Sequence, residues 1–145
     1  YLSNYLLIIY SKITVMKQTQ KPMLLKEDAD VLKKILLSGM ELPGSDTIKE
    51  KLKAAEIVDQ ADFAFDVARL NSLLLLRDKT GRRNFQYRLS VPEAGTEVIH
   101  TDNVFRPLGA ALLGMRKGEE LKWNTAKGVR YFFIINVVTP VEAFY

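Results

Sequence analysis

The sequence predicts an α+β chain in which a short antiparallel helical hairpin is followed by an antiparallel sheet carrying one helix. Three observations lead there. Apolar residues recur at helical spacing between Lys26 and Ala55, the period shortens to alternation after Asp66, and an apolar run from Val104 to Met115, opened by a proline and bounded by glycines, interrupts the alternating segments.

The opening stretch, YLSNYLLIIYSKITV, is apolar and aromatic, but Ser3, Asn4, Ser11 and Lys12 break it well short of the ~20 apolar residues of a membrane helix. It lacks the basic start and small-residue cleavage site of a signal peptide. Residues 1–16 are read as a leader or non-native extension ahead of a start at Met16; the competing reading is an N-terminal strand, for which the Tyr and Ile content is suited. A helical hairpin is then expected over residues 17–66 and a sheet domain over residues 67–145. From Lys26 to Leu37, the residues Ala29, Val31, Leu32, Ile35 and Leu36 make one amphipathic stripe. The segment Ser38 to Ser45 breaks it with two glycines and a proline. Thr47 and Glu50 carry capping-box spacing, and Ile48, Leu52 and Ala55 supply the next stripe. Two short helices joined by a tight loop should pack antiparallel, because neither can leave its stripe in water.

In the second half, Leu70 to Leu76 is short and apolar, Asp78-Lys79-Thr80-Gly81 is turn chemistry, and Phe85, Tyr87, Leu89 and Val91 alternate with polar residues. These read as an antiparallel pair. Pro107 in a first turn and Gly114 or Gly118 at the close define one short helix. Glu120 to Trp123 and Val129 to Val138 read as two further strands around Ala126-Lys127-Gly128.

Composition narrows the chemistry. The 145 residues are 48% hydrophobic and 26% charged with a mean hydropathy of -0.03, so the chain can bury a core, and intrinsic disorder is not expected. The absence of cysteine excludes disulfides, thiolate zinc sites and Cys nucleophiles and makes the reducing cytoplasm the default compartment. A single histidine, His100, excludes multi-His metal sites, and no nucleophile-elbow pattern accompanies it. Gly109, Gly114 and Gly118 lack the context of a phosphate-binding loop. No catalytic residue, metal or cofactor is therefore expected. Glu41 and Asp46, in the hairpin loop, could hold a hard cation only by facing one another; the ordinary reading is a pair of solvated acids, with Asp46 near a helix start.

The net charge is +4 with a pI of about 9.3. From Arg69 to Tyr145 there are 12 Lys and Arg against 7 Asp and Glu, whereas Lys17 to Val58 holds 8 against 7, so the sheet half carries the positive charge. Arg77, Lys79, Arg82 and Arg83 gather at one turn. Phe85 and Tyr87 alternate as if one face were buried, which leaves nucleic acid, DNA included, a weak secondary partner.

The run Val104-Phe105-Arg106-Pro107-Leu108-Gly109-Ala110-Ala111-Leu112-Leu113-Gly114-Met115-Arg116-Lys117-Gly118-Glu119-Glu120-Leu121, followed by Trp123 and the strand from Arg130 to Val138, resembles the C-terminal domain of the GreA/GreB transcription elongation factors. Within that family it is similar to the short-armed Rnk branch, the regulators of nucleoside diphosphate kinase, which it also resembles through Leu52 to Ala55, Asp66 to Ser72 and Pro140 to Ala143. The resemblance covers roughly residues 26 to 143 and departs from the family at Arg106, where a small residue usually precedes the proline. It implies an FKBP-like sheet domain that docks on bacterial RNA polymerase at the rim of the secondary channel, through the loop of Phe105, Arg106, Pro107 and Leu108. In Gre factors a long coiled coil carries an acidic tip to the catalytic magnesium. Two helices of about a dozen residues reach only ~18 Å, so Glu41 and Asp46, at the hairpin tip, are not expected to inherit that role. The implied function is a cytoplasmic, non-enzymatic transcription regulator that competes with Gre factors. Phe105 and Leu108 read equally well as core, and Pro107 as a helix start. The alternative function is an FKBP-like prolyl isomerase or peptide-binding module built on Phe85, Tyr87, Trp123, Tyr131, Phe132 and Phe133, rings whose ordinary use is to fill a core.

Overall fold

The computed structural model describes residues 21–92 and 102–139; the expectations for residues 1–16, for His100 and for the tail from Pro140 lie outside them. The described chain is α+β. In order, it forms β1 (Met23–Leu25), α1 (Lys26–Leu37), α2 (Ser45–Ala54), β2 (Glu56–Val58), a single 3-10 turn (Gln60–Asp62), β3 (Leu73–Asp78), β4 (Arg83–Arg88), α3 (Pro107–Leu112), β5 (Glu120–Thr125) and β6 (Gly128–Val138). The last four strands make one antiparallel sheet in the order β4-β3-β6-β5. The parallel pairing of β1 with β2 was not anticipated, because three-residue strands are too short to show alternation.

Alternation decides what the sheet buries. On β3, Leu74 and Leu76 point to the core and Leu73 and Leu75 to the other face. Tyr87 on β4 and Ile134 and Val137 on β6 join them, across a bulge that shifts the β3–β6 register between Leu75 and Leu76. The same buried cluster takes in Leu32 of α1, Ile48 of α2 and Ala110 and Leu112 of α3. The core is thus continuous across the expected hairpin boundary, and the stripes of α1 and α2 are turned onto the sheet layer. Each fully buried Leu or Ile contributes roughly 1.5–3 kcal/mol to that attachment, more than helices of 12 and 10 residues gain from their own propensity.

A buried ion pair ties α1 down. The Asp28 carboxylate accepts the Leu70 backbone N–H at 3.1 Å and the Arg69 guanidinium at 3.2 Å. Burial pushes that carboxyl above its usual range, while Arg69 and the Leu70 N–H draw it back. At α2 the capping box is not used. The helix begins at Ser45 behind Gly44, without a side-chain cap, so Thr47 lies inside the first turn. A tertiary contact at Gly44 sets this start and overrides the local signal.

Helix α3 is shorter than the apolar run that announces it. Pro107 occupies its first turn, and Gly114 lies just beyond it at φ +82, a conformation that suits glycine. Gly109 has a different reason to be glycine. A Cβ there would lie 2.1 Å from the Asn103 carbonyl oxygen and 3.1 Å from the Tyr87 hydroxyl. Gly109→Ala is expected to cost about 1–3 kcal/mol through overpacking, read as a lower urea midpoint with an unchanged m-value; native-like stability would show that the Asn103 segment yields at no cost.

Candidate functional site

Two features converge on α3, a corner at its start and a cleft at its end. The corner is assembled from backbone contacts. Val104 N–H donates to the Ser90 carbonyl at 2.9 Å, and the Ser90 hydroxyl returns a bond to the Asp102 carbonyl. The buried Asn103 side chain accepts Phe105 N–H at 2.8 Å, while its main-chain carbonyl accepts the Tyr87 hydroxyl at 3.0 Å and Arg106 N–H at 3.3 Å. Burial raises the Tyr87 phenol above its usual range; its bond to Asn103 and the nearby Arg106 oppose the rise, and Asp102 adds to it.

The hairpin loop closes on this corner. Gly44 N–H donates to the Phe105 carbonyl at 2.6 Å, and a Cβ on Gly44 would lie 2.6 Å from that oxygen and 2.9 Å from the Ala110 Cβ. Only glycine permits so close an approach. Asp46 and Glu41, two and three residues from Gly44, are both exposed and flank the contact. The two groups of residues singled out in the sequence are therefore brought to one corner. Among the four at the helix start, Pro107 is exposed and Arg106 is half-buried at the N-cap, Leu108 packs partly against the core, and Phe105 is 0% exposed. Phe105 fills the core and presents only its carbonyl, so what it does for the corner is hold Arg106 and Pro107 in place.

At the other end of α3 lies a cleft of 410 Å³ whose lining includes Pro22, Lys51, Gly114, Met115, Glu119 and Lys122. Lys51 of α2 donates from Nζ to the carbonyls of Ala111 and Leu113, each at 2.5 Å, satisfying groups that α3 leaves open at its C-terminus. Burial lowers the Lys51 amine from 10.5 to about 7, with the Glu119 carboxylate opposing the shift. Sequence reading missed this residue. Its position between Ile48, Leu52 and Ala55 places it beside the apolar stripe, which was the available signal.

The rings proposed for a peptide pocket do not share one site. Phe85, Phe132 and Trp123 cluster on the inner face, with centroids 5.8 Å and 5.7 Å apart for the two pairs that include Phe132. Arg83 and Arg130 lie over Phe85 and Phe132, at 5.9 and 5.7 Å. Tyr87 is buried on that face against Asn103, and the strand period sends Tyr131 and Phe133 to the opposite side. The basic turn is likewise dispersed: Arg77 donates to the Asn84 side chain at 3.1 Å, Lys79 pairs with Glu120 at 2.5 Å, and Arg83 lies over its ring. The turn itself is held by Asp78, which accepts Thr80 N–H and Gly81 N–H and pairs with Arg130.

The fold and corner together define a class, a small α+β protein in which a proline-started, glycine-bounded helix packs on an antiparallel sheet behind a short helical hairpin. No protein-family model matches the sequence. Individual proteins do. The chain is 32% identical over 88 residues to transcription elongation factor GreA of Syntrophobacter fumaroxidans, a match covering 61% of this chain and 56% of that protein. It is 28% identical over 92 residues to the regulator of nucleoside diphosphate kinase of Escherichia coli K12, covering 61% and 65%. Among solved structures, a prokaryotic GreA/GreB elongation factor from Nitrosomonas europaea superposes with a TM-score of 0.65 at 30% identity, over 82% of this chain and 98% of that one. The chain belongs to the GreA/GreB family, with Rnk-type regulators among its relatives. It spans 56% and 65% of the length of those two curated relatives.

The cleft lysine yields a pH signature. Its native-state value lies below that of the unfolded chain, so between about pH 7 and 10.5 the unfolded chain holds a proton that the native state has released. Stability should therefore rise with pH across that window. Urea midpoints at about pH 7 and about pH 9.5 should differ less in Lys51→Met than in the native protein; identical pH slopes would assign the dependence to another group.

Proposed function

We propose that this chain is an RNA polymerase-binding transcription regulator of the Gre/Rnk type. It acts in the cytoplasm, docks at the secondary channel through the corner at the start of α3, and competes there with Gre factors without stimulating transcript cleavage. In this reading residues 67–145 form an FKBP-like docking domain and residues 17–66 a short arm folded back upon it. Family membership supports the partner. The observation that carries the rest is the bond from Gly44 to the Phe105 carbonyl, which binds the hairpin loop to the sheet domain. A tip held there has no reach. Metal-assisted phosphodiester cleavage needs a carboxylate within direct or water-mediated reach of the ion, and a displacement of ~1 Å already costs about a hundredfold in rate.

The exposed proline beside a half-buried arginine, on a backbone hydrogen-bonded to the sheet and to the hairpin loop, is a surface that a partner can bind at little ordering cost. Replacing Arg106 and Pro107 together by alanine should weaken binding to core polymerase by about tenfold or more, with the thermal transition changed by no more than a few degrees. Unchanged affinity in a folded variant would move the contact elsewhere.

Competition without chemistry makes a second expectation. On backtracked complexes the protein should leave RNA shortening at its intrinsic rate and should slow the shortening driven by a cleavage-competent Gre factor. Acceleration that disappears in Glu41→Ala or Asp46→Ala would instead assign cleavage stimulation to the hairpin loop.

A further inference from the structure

The sheet has a second face. With Leu74, Leu76, Phe132 and Ile134 committed to the inner side, the strand period places Leu75 and Arg77 of β3, Arg88 of β4, Tyr131 and Phe133 of β6 and Lys122 of β5 on the other. Among the described residues no helix packs there, since α1, α2 and α3 all contribute to the core beneath the inner face.

The register pairs rings with cations. Phe133 stands directly across from Arg77 on one side, and Tyr131 stands directly across from Lys122 on the other. Tyr131 is 38% exposed, and Arg88 and Lys122 are exposed, Lys122 lying on the edge strand where it also borders the Lys51 cleft. The carboxylate on this face, Glu120 opposite Phe133, is engaged by Lys79 at 2.5 Å. The face therefore has two rings on the inner strand β6, with Arg77 on the other inner strand and Arg88 and Lys122 on the two edge strands.

We propose that this open face binds single-stranded nucleic acid, with Tyr131 and Phe133 stacking successive bases and Arg77, Lys122 and Arg88 meeting the phosphates. Stacking on exposed rings, with basic side chains tracking the backbone, is how sequence-tolerant single-strand binding is built, and an open four-stranded sheet is a known platform for it. The strand geometry selects single strands. Residues two apart on a strand are separated by about 6.7 Å, roughly twice the 3.4 Å rise per nucleotide of a duplex strand, so the rings suit splayed bases and not a stacked helix. Charge separates this occupant from a hydrophobic protein surface, because each ring has a cation beside it and the acid on the face is already paired. The proposal rests on the face alone, not on the docking corner, and shares only Arg77 with the basic turn that the sequence singles out.

The test is fluorescence anisotropy with a labelled mixed-sequence RNA of about 12 nucleotides, within the usual site sizes for such surfaces, alongside its duplex. Single-stranded RNA should bind at least about tenfold more tightly than duplex. Tyr131→Ala, a change at an exposed position, should weaken binding by about fivefold or more with unchanged thermal unfolding, while Tyr131→Phe retains it. Lys122→Ala should reduce the steepness of the log–log salt dependence by about 0.7. Equal affinity for single strand and duplex, or full binding by Tyr131→Ala, would overturn stacking and leave only a charged surface. No RNA binding, together with Tyr131-dependent binding of a poly-glutamate peptide, would overturn the proposal in favour of an acidic protein partner.

Discussion

One carbonyl oxygen organises the sheet half of this protein. The Asn103 carbonyl receives the Tyr87 hydroxyl from the sheet and Arg106 N–H from its own loop, and it lies so near α3 that only glycine fits at position 109. A buried acceptor with two donors is satisfied, and an unsatisfied one would cost about 1–3 kcal/mol. The same contact fixes the path of the next two residues, so it sets where the Phe105 carbonyl points. That carbonyl then holds the hairpin loop at Gly44. Helix start, sheet and hairpin loop are linked through atoms that carry no sequence signature of their own.

The buried ionisable groups extend this linkage. Asp28 joins α1 to the segment before β3, Lys51 joins α2 to the end of α3, and Asp78 joins the β3–β4 turn to β6. Each connects elements that are distant along the chain. Short helices have little stability of their own, so these polar ties fix how α1 and α2 lie while the apolar stripes supply the attraction. Here α1 and α2 share the core beneath the sheet, and the loop between them is tied to the Phe105 carbonyl at Gly44.

The division of the sheet into two faces commits one to the core and leaves the other without a packed helix among the described residues. The inner face is spent on the core and, at the far end of the strands, on the arginine-covered cluster of Phe85, Trp123 and Phe132. Six aromatic residues that look like one pocket in the sequence are sorted by a period of two, which sends Phe132 inward and its neighbours Tyr131 and Phe133 outward. Consecutive aromatic residues on a strand cannot line a common site.

By itself the sequence determined the features that depend on neighbours along the chain. Helix α1 occupies the range its apolar spacing marks, Pro107 starts α3, turn residues separate β3 from β4 and β5 from β6, and the Pro107 to Leu121 run carries the family resemblance. Tertiary structure decided whatever depends on distant partners. It moved the start of α2 from the Thr47–Glu50 capping box to Gly44, paired β1 with β2, took Phe105 out of the surface and brought Lys51 to the carbonyls of α3. The physical reason is common to all four. Periodicity and turn chemistry report how a residue is used within its own element, but a close backbone approach, a three-residue strand or a buried amine is defined by the element that meets it, and that element lies tens of residues away.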